Sequence, residues 1–142
     1  MLSIQISDIK DFMSHLLSKD TFDHFYFIEA SIKMGVSYQI QGRINEGFYD
    51  TSVEQTLNRE FCYWKEIRHR IFDIIKGKRL PLSCKIVLGL SKQSISYLIA
   101  HNNSSFREED IEGIYVNILY DPKNLLITTG TVSYTHLRAH ET

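Results

Sequence analysis

Phe61–Leu82 reads FCYWKEIRHRIFDIIKGKRLPL, and its hydrophobic period decides how the rest of the chain has to be arranged. At about 100° per residue, Phe61, Tyr63, Trp64, Ile67, Ile71, Phe72, Ile74 and Ile75 fall on one arc, and Lys65, Glu66, His69, Asp73 and Lys76 fall on the other. Such a segment is a helix laid on a core. Its end is marked by Lys76 in the last turn, by Gly77 where a left-handed cap is wanted, and by Pro81 beyond it. Arg68 breaks the pattern by projecting into the apolar arc, where a guanidinium needs an anion or a carbonyl. Upstream, Thr51-x-x-Glu54 reads as a capping box, and Val53 and Leu57 extend the stripe, so one long helix or two shorter ones fit.

Outward from this helix, the N-terminal third reads as a strand, a helix and a hairpin. Leu2, Ile4 and Ile6 alternate with polar residues, and Ser7 is placed to cap a helix carrying Ile9, Phe12, Met13, Leu16 and Leu17. Phe25–Ile32 and Val36–Arg43 alternate and are joined by Lys33-Met34-Gly35, which is hairpin spacing. In strict alternation Phe25, Phe27 and Glu29 share one face, which makes Glu29 the expected partner of Arg68, with Asp8 or Asp11 behind it.

The C-terminal part repeats that order. Leu82–Leu90 alternates as a strand, Ser91 caps a short helix with Ile95, Leu98 and Ile99 on one face, and Asn102–Ser105 is polar loop. Ile114–Tyr120 and Leu125–Thr131 then form a second hairpin around Asp121-Pro122-Lys123. A constant shift of 88 carries Ile28, Ala30 and Ile32 onto Val116, Ile118 and Tyr120, and Gly42 onto Gly130. The expected fold class is therefore α+β: an antiparallel sheet of two hairpins and two short strands with a long amphipathic helix packed on it, the repeated order being either a βαββ pseudo-repeat or the chance order of a generic α+β chain.

A chain of 142 residues with 43% hydrophobic and 12% aromatic content is enough for one core without disulfide or metal support. Residues 1–131 are read as one domain. Val132–Thr142, VSYTHLRAHET, resembles in frame the translation of a sequencing-library adapter and is read as a non-native tail without a structural role. No apolar run is long enough to span a bilayer and no secretory signal is legible at Met1, so a cytoplasmic location without a membrane partner is expected. Cys62 and Cys84 lack CxxC or His-Cys spacing and read as buried thiols.

Catalytic text is sparse: there is no phosphate loop, HExxH, GxSxG or EF-hand run. Ser7-Asp8-Ile9-Lys10 fits S-x-x-K, but it lacks the partner motifs of acyl-transfer enzymes and reads as a cap. His69 with Asp73 is a surface pair at helical spacing, and Asp20 with Asp23 is turn chemistry. No catalytic residue, cofactor or metal ligand is assigned. Charge is the exception. Lys65–Arg79 holds six Lys or Arg against Glu66 and Asp73, a window of +4 in a chain of net −1, which leaves −5 for the remainder. Arg70, Lys76, Lys78 and Arg79 are the candidate phosphate or partner contacts, with a solvated helix face as the plain alternative.

The ISDIKDFM opening, the Phe-rich hairpin, WKEIRHRIFDIIKGKRLPL with its following strand, and the NILY and LLITTGT strands together resemble an uncharacterised bacterial family, a domain of unknown function. Trp64, the Ile75–Lys78 string and Pro81 carry the resemblance, which extends from Met1 to about residue 131. It implies no activity, cofactor or catalytic residue. It implies a further strand and helix past the TTGT string, so the chain is expected to be truncated at its C-terminus. A fainter likeness to sliding clamps is weakened by short helices that are not basic. The expected function is a non-enzymatic binding or interaction protein, with a protein partner or self-association. The alternatives are nucleic-acid association through the basic helix end, and an enzyme whose site lies in the missing part.

Overall fold

The computed structural model describes residues 2–48, 59–90 and 111–133. The capping box at Thr51, the stripe through Val53 and Leu57, the Ser91 helix, the Asn102–Ser105 loop and the tail from residue 134 lie outside the described residues. Strand β1 (Leu2–Gln5) leads to helix α1 (Ile9–Leu17), then to β2 (Tyr26–Lys33) and β3 (Ser37–Gln41). A single 3-10 turn at Glu46–Phe48 follows, then α2 (Trp64–Ile75), β4 (Ser83–Gly89), β5 (Ile111–Tyr120) and β6 (Leu125–Ser133). The six described strands form one antiparallel sheet in the order β1-β6-β5-β4-β2-β3. The fold class is α+β, and both expected hairpins are present.

One face of the sheet carries the core. Ile32, Cys84, Tyr120 and Leu125 stand in one row across four strands, and Ala30, Ile86, Ile118 and Ile127 stand in the next. Leu16 and Leu17 of α1 and Trp64 and Ile71 of α2 close over this face. The opposite face mixes Glu29, Ser31, Lys85, Asn117 and Thr128 with Val87, Leu119 and Leu126, as expected of an antiparallel sheet with unequal faces.

The sequence reading needs correction in four places. First, α2 begins at Trp64, so Phe61 and Tyr63 are not part of it. They make isolated antiparallel bridges to Arg43 and Tyr26, because alternate aromatics satisfy a strand period as well as a helical one. The described helix is 12 residues long. Second, Asp8 caps α1 in place of Ser7, its Oδ1 accepting the Asp11 N–H at 3.0 Å.

Third, the β2–β4 register shifts between Phe27 and Glu29. This bulge puts Phe27 in the core with Ala30 and Ile32, and turns Glu29 to the far face beside Val87. Gly42 is required at the same place, since a Cβ there would collide with the Phe27 carbonyl.

Fourth, the strand order lacks the twofold of a βαββ duplication. β4 lies between β2 and β5, the first strand of the hairpin that follows it, whereas its expected counterpart β1 lies at the edge against β6. Gly130 also has open space where Gly42 has the Phe27 backbone, so the two glycines are not equivalent. Among the described strands, the repeated unit that a clamp likeness would need is therefore not found. At the C-terminal side, Val132 and Ser133 pair with Gly113 and Ile111 and so extend β6.

Candidate functional site

The connection from α2 to β4 gathers three of the four cations singled out by sequence. α2 leaves helical geometry at Lys76, whose φ of −62° and ψ of 148° are extended, and Gly77 follows at φ +148°, a backbone that L side chains rarely adopt. Lys78 and Arg79 are exposed in the loop beyond. Lys76 Nζ lies 3.0 Å from Asp73 Oδ1, with both side chains largely in water. Arg70 is exposed but lies six residues back along α2, about 9 Å of helix from Lys76. The cluster therefore comprises Lys76, Lys78 and Arg79, with Arg70 set apart.

Apolar groups accompany those charges, and sequence reasoning missed them. Pro81 is fully buried, and this anchors the loop, while Leu80 and Leu82 on either side are 66% and 69% exposed. The Leu82 N–H donates to the Lys33 carbonyl at 2.8 Å, so this loop lies beside the β2–β3 turn, where Val36 is 64% exposed. Lys33 and Lys85 are also exposed next to it. The signal was present in the alternation of Leu80-Pro81-Leu82, but nothing in the letters says which of three apolar residues turns inward.

Arg68 does have a carboxylate partner. It is Asp23, not Glu29, which is exposed on the other face of the sheet. Arg68 Nε and an Nη donate to the two Asp23 oxygens at 2.8 and 3.0 Å, with the side chains only 11% and 9% exposed. A second Nη donates to the Leu17 carbonyl at 3.4 Å. One turn earlier on α2, Trp64 Nε1 donates to the Leu16 carbonyl at 2.8 Å. Both side chains thus satisfy carbonyls left open at the end of α1, and the pair is structural.

At the start of α2, Glu66 accepts the Tyr63 N–H at 2.7 Å and two bonds from Arg59 at 2.9 and 3.2 Å. The Arg59 hydrogen bonds hold the Glu66 carboxyl below the usual carboxylate range. Arg59 also lies over the Tyr63 ring, 4.3 Å from its centroid, and Tyr63 stacks on Tyr26. Burial pushes Tyr26 above its ordinary value, with Tyr63 adding to the effect.

An open cleft of about 380 Å³ lies between β1 and α1, lined by Asp8, Asp11, Phe12, His15, Thr21 and Phe22 among others. Here His15 Nδ1 is 2.9 Å from Thr21 Oγ1, but His15 Nε2 is 3.8 Å from Asp11 Oδ1, beyond hydrogen-bond reach. The Asp8 carboxylate is committed to its cap. This is a solvated polar network and not a catalytic triad. His69 and Asp73 are not joined either, since Asp73 is taken by Lys76. Burial pushes the Cys62 thiol up to about 11 and the Cys84 thiol to about 12, which makes both poor nucleophiles. Among the described residues no His, Cys, Asp and Glu group could hold a metal, and no helix is long and apolar enough to cross a membrane.

Against known families, the model of a Family of unknown function (DUF5721) matches residues 15–141. The chain belongs to DUF5721. Membership fits the resemblance carried by Trp64 and the Ile75–Pro81 string, and it places both helix-end carbonyls and the whole basic loop of this DUF5721 chain inside the matched span. Neither curated proteins nor solved structures give a match to it.

Proposed function

We propose that the chain is a non-enzymatic binding protein whose α2–β4 loop docks on an acidic protein surface with apolar residues of its own. The observation that carries this reading is the exposure of Leu80 and Leu82 beside Lys78 and Arg79, on a loop pinned by buried Pro81. A patch of exposed aliphatic groups rimmed by charge is the usual composition of a docking site, and one sign of charge selects the opposite sign in the partner. Nucleic acid is the weaker reading, because leucines contribute little against phosphates. Two free thiols, Cys62 and Cys84, support a cytoplasmic setting for this role.

The test is a titration of labelled chain with a leucine-bearing acidic peptide, and with single- and double-stranded DNA and RNA, over a range of salt. Binding of the acidic peptide should weaken about tenfold in Leu80→Ser/Leu82→Ser, and about as much in Lys78→Glu/Arg79→Glu. Absence of peptide binding overturns the proposal. So does nucleic-acid binding with a steep salt dependence that the leucine changes leave untouched.

A further inference from the structure

β3 is an edge strand with no further described strand beyond it, and it reads Ser37-Tyr38-Gln39-Ile40-Gln41. It carries no charge, no proline and no register shift against β2, although edge strands are ordinarily protected by one of these. Ser37, Tyr38, Gln39 and Gln41 are all exposed. The opposite edge, β1, is shorter at four residues, which itself limits pairing there.

The backbone polarity of β3 follows from one bond. Gly42 N–H donates to the Ile28 carbonyl at 2.8 Å, so the adjacent Glu29–Gln41 pair is a non-hydrogen-bonded one. Alternation then directs the N–H and C=O groups of Tyr38 and Ile40 toward β2, and those of Ser37, Gln39 and Gln41 away from the sheet. Three residues in a row of five thus present both a donor and an acceptor at the edge.

We infer that β3 pairs antiparallel with β3 of a second copy, on a twofold axis through Gln39. In that register Gln39 faces Gln39 of the partner, Ser37 faces Gln41, and all three outward pairs exchange both backbone bonds. Tyr38 then stands across from Ile40 in a non-hydrogen-bonded pair, where side chains approach most closely and an aromatic beside a β-branched residue is favourable. Tyr38 is 39% exposed and lies in one row with buried Ile32, so the pairing continues the core across the axis. Gly35 falls opposite Arg43 and offers no side chain to clash with it. The strand is its own complement in backbone polarity, in charge and in side-chain shape, which is why a second copy is the occupant.

The test is sedimentation equilibrium of the full chain up to about 0.1 mM, where a micromolar dimer is mostly assembled. The chain should be dimeric. Gln39→Lys and Gln39→Glu each place like charges face to face on the axis and should weaken the dimer about tenfold or more, while circular dichroism stays unchanged. An equimolar mixture of the two variants should restore dimer as the mixed species. Gln39→Pro should also be monomeric and folded, because it removes only an outward N–H. A wild-type chain that stays monomeric overturns the inference. A dimer untouched by Gln39→Lys, or a mixture that fails to reassociate, overturns it equally.

Discussion

Arg68 and Arg59 each grip a carboxylate with two nitrogens, at 2.8 and 3.0 Å in one pair and 2.9 and 3.2 Å in the other. Their surroundings differ. Asp23 and Arg68 are 9% and 11% exposed, whereas Glu66 is 41% exposed against 15% for Arg59. Geometry alone would rank them equal. Burial separates them, because a lone ion left in the interior costs far more than one left in water. α2 thus carries a gradient, with a half-screened pair at its start, a buried one in its middle and the largely solvated Lys76–Asp73 pair at its end.

The largest expected effect follows from removing one member of the buried pair. Asp23→Asn should lower unfolding free energy by about 3–5 kcal/mol, since Arg68 keeps its charge with no anion beside it. The double variant Asp23→Leu/Arg68→Met should recover a good part of that loss in urea denaturation, as buried pairs are often replaceable by apolar groups. If single and double variants lose the same amount, the carboxylate is not what Arg68 depends on, and the comparison between the two pairs breaks.

Next in size is Trp64→Phe, which keeps an aromatic ring against Phe27 but leaves the Leu16 carbonyl without its donor. A loss of about 1–3 kcal/mol is expected, because a buried acceptor is left unpaired. Arg68 one turn on cannot substitute, since its nitrogens are already placed on Asp23 and Leu17. No change in stability would show that the α1 carbonyls are satisfied by other means.

How much of this was legible in the letters depends on the range of the cause. Arg68 was conspicuous because a cation interrupts the apolar period of its own helix, and the need for an anion follows from that alone. Its partner was not legible. The bulge at Ile28 reverses which residues share the face of Phe27, and alternation cannot announce a residue that breaks it. Asp23 looked like turn chemistry, and its backbone does make a turn, with N–H to the Asp20 carbonyl at 3.1 Å. Both hairpins were legible because each joins neighbours in sequence. The place of β1 against β6 was not, since it joins residues at opposite ends of the chain. In the basic loop the charges were plain, while the outward turn of Leu80 and Leu82 depends on which pocket Pro81 fills.

The half-screened pair gives a smaller effect with a pH signature. Arg59→Ala should cost about 1 kcal/mol or less at neutral pH, the range of pairs with one partner in water. The folded-state value of Glu66 is depressed, so its contribution is present above the unfolded value and is lost as pH falls through the folded one. The difference between wild type and Arg59→Ala should therefore be full at neutral pH and close in acid, below the usual glutamate range. A difference that persists unchanged in acid would point to the stacking of Arg59 on Tyr63 as the source of its effect.

The smallest effect belongs to the solvated end of the helix. Lys76 and Asp73 are 58% and 65% exposed at a spacing of three residues, so their attraction is screened and holding two long side chains still offsets part of it. Lys76→Ala should change stability by no more than a few tenths of a kcal/mol. Asp73→Ala should do as little, or stabilise slightly, because a carboxylate in the last turn opposes the helix dipole. The measurement is urea denaturation of both variants at low and high salt, where any residual effect of the pair should fade. A loss beyond about 1 kcal/mol for Lys76→Ala would mean that this cation works for the fold as Arg68 does. If the loss is as small as expected, the cations of this loop are free of structural duty. Charge reversal at Lys78 and Arg79 then reads out recognition without disturbing the sheet that carries them.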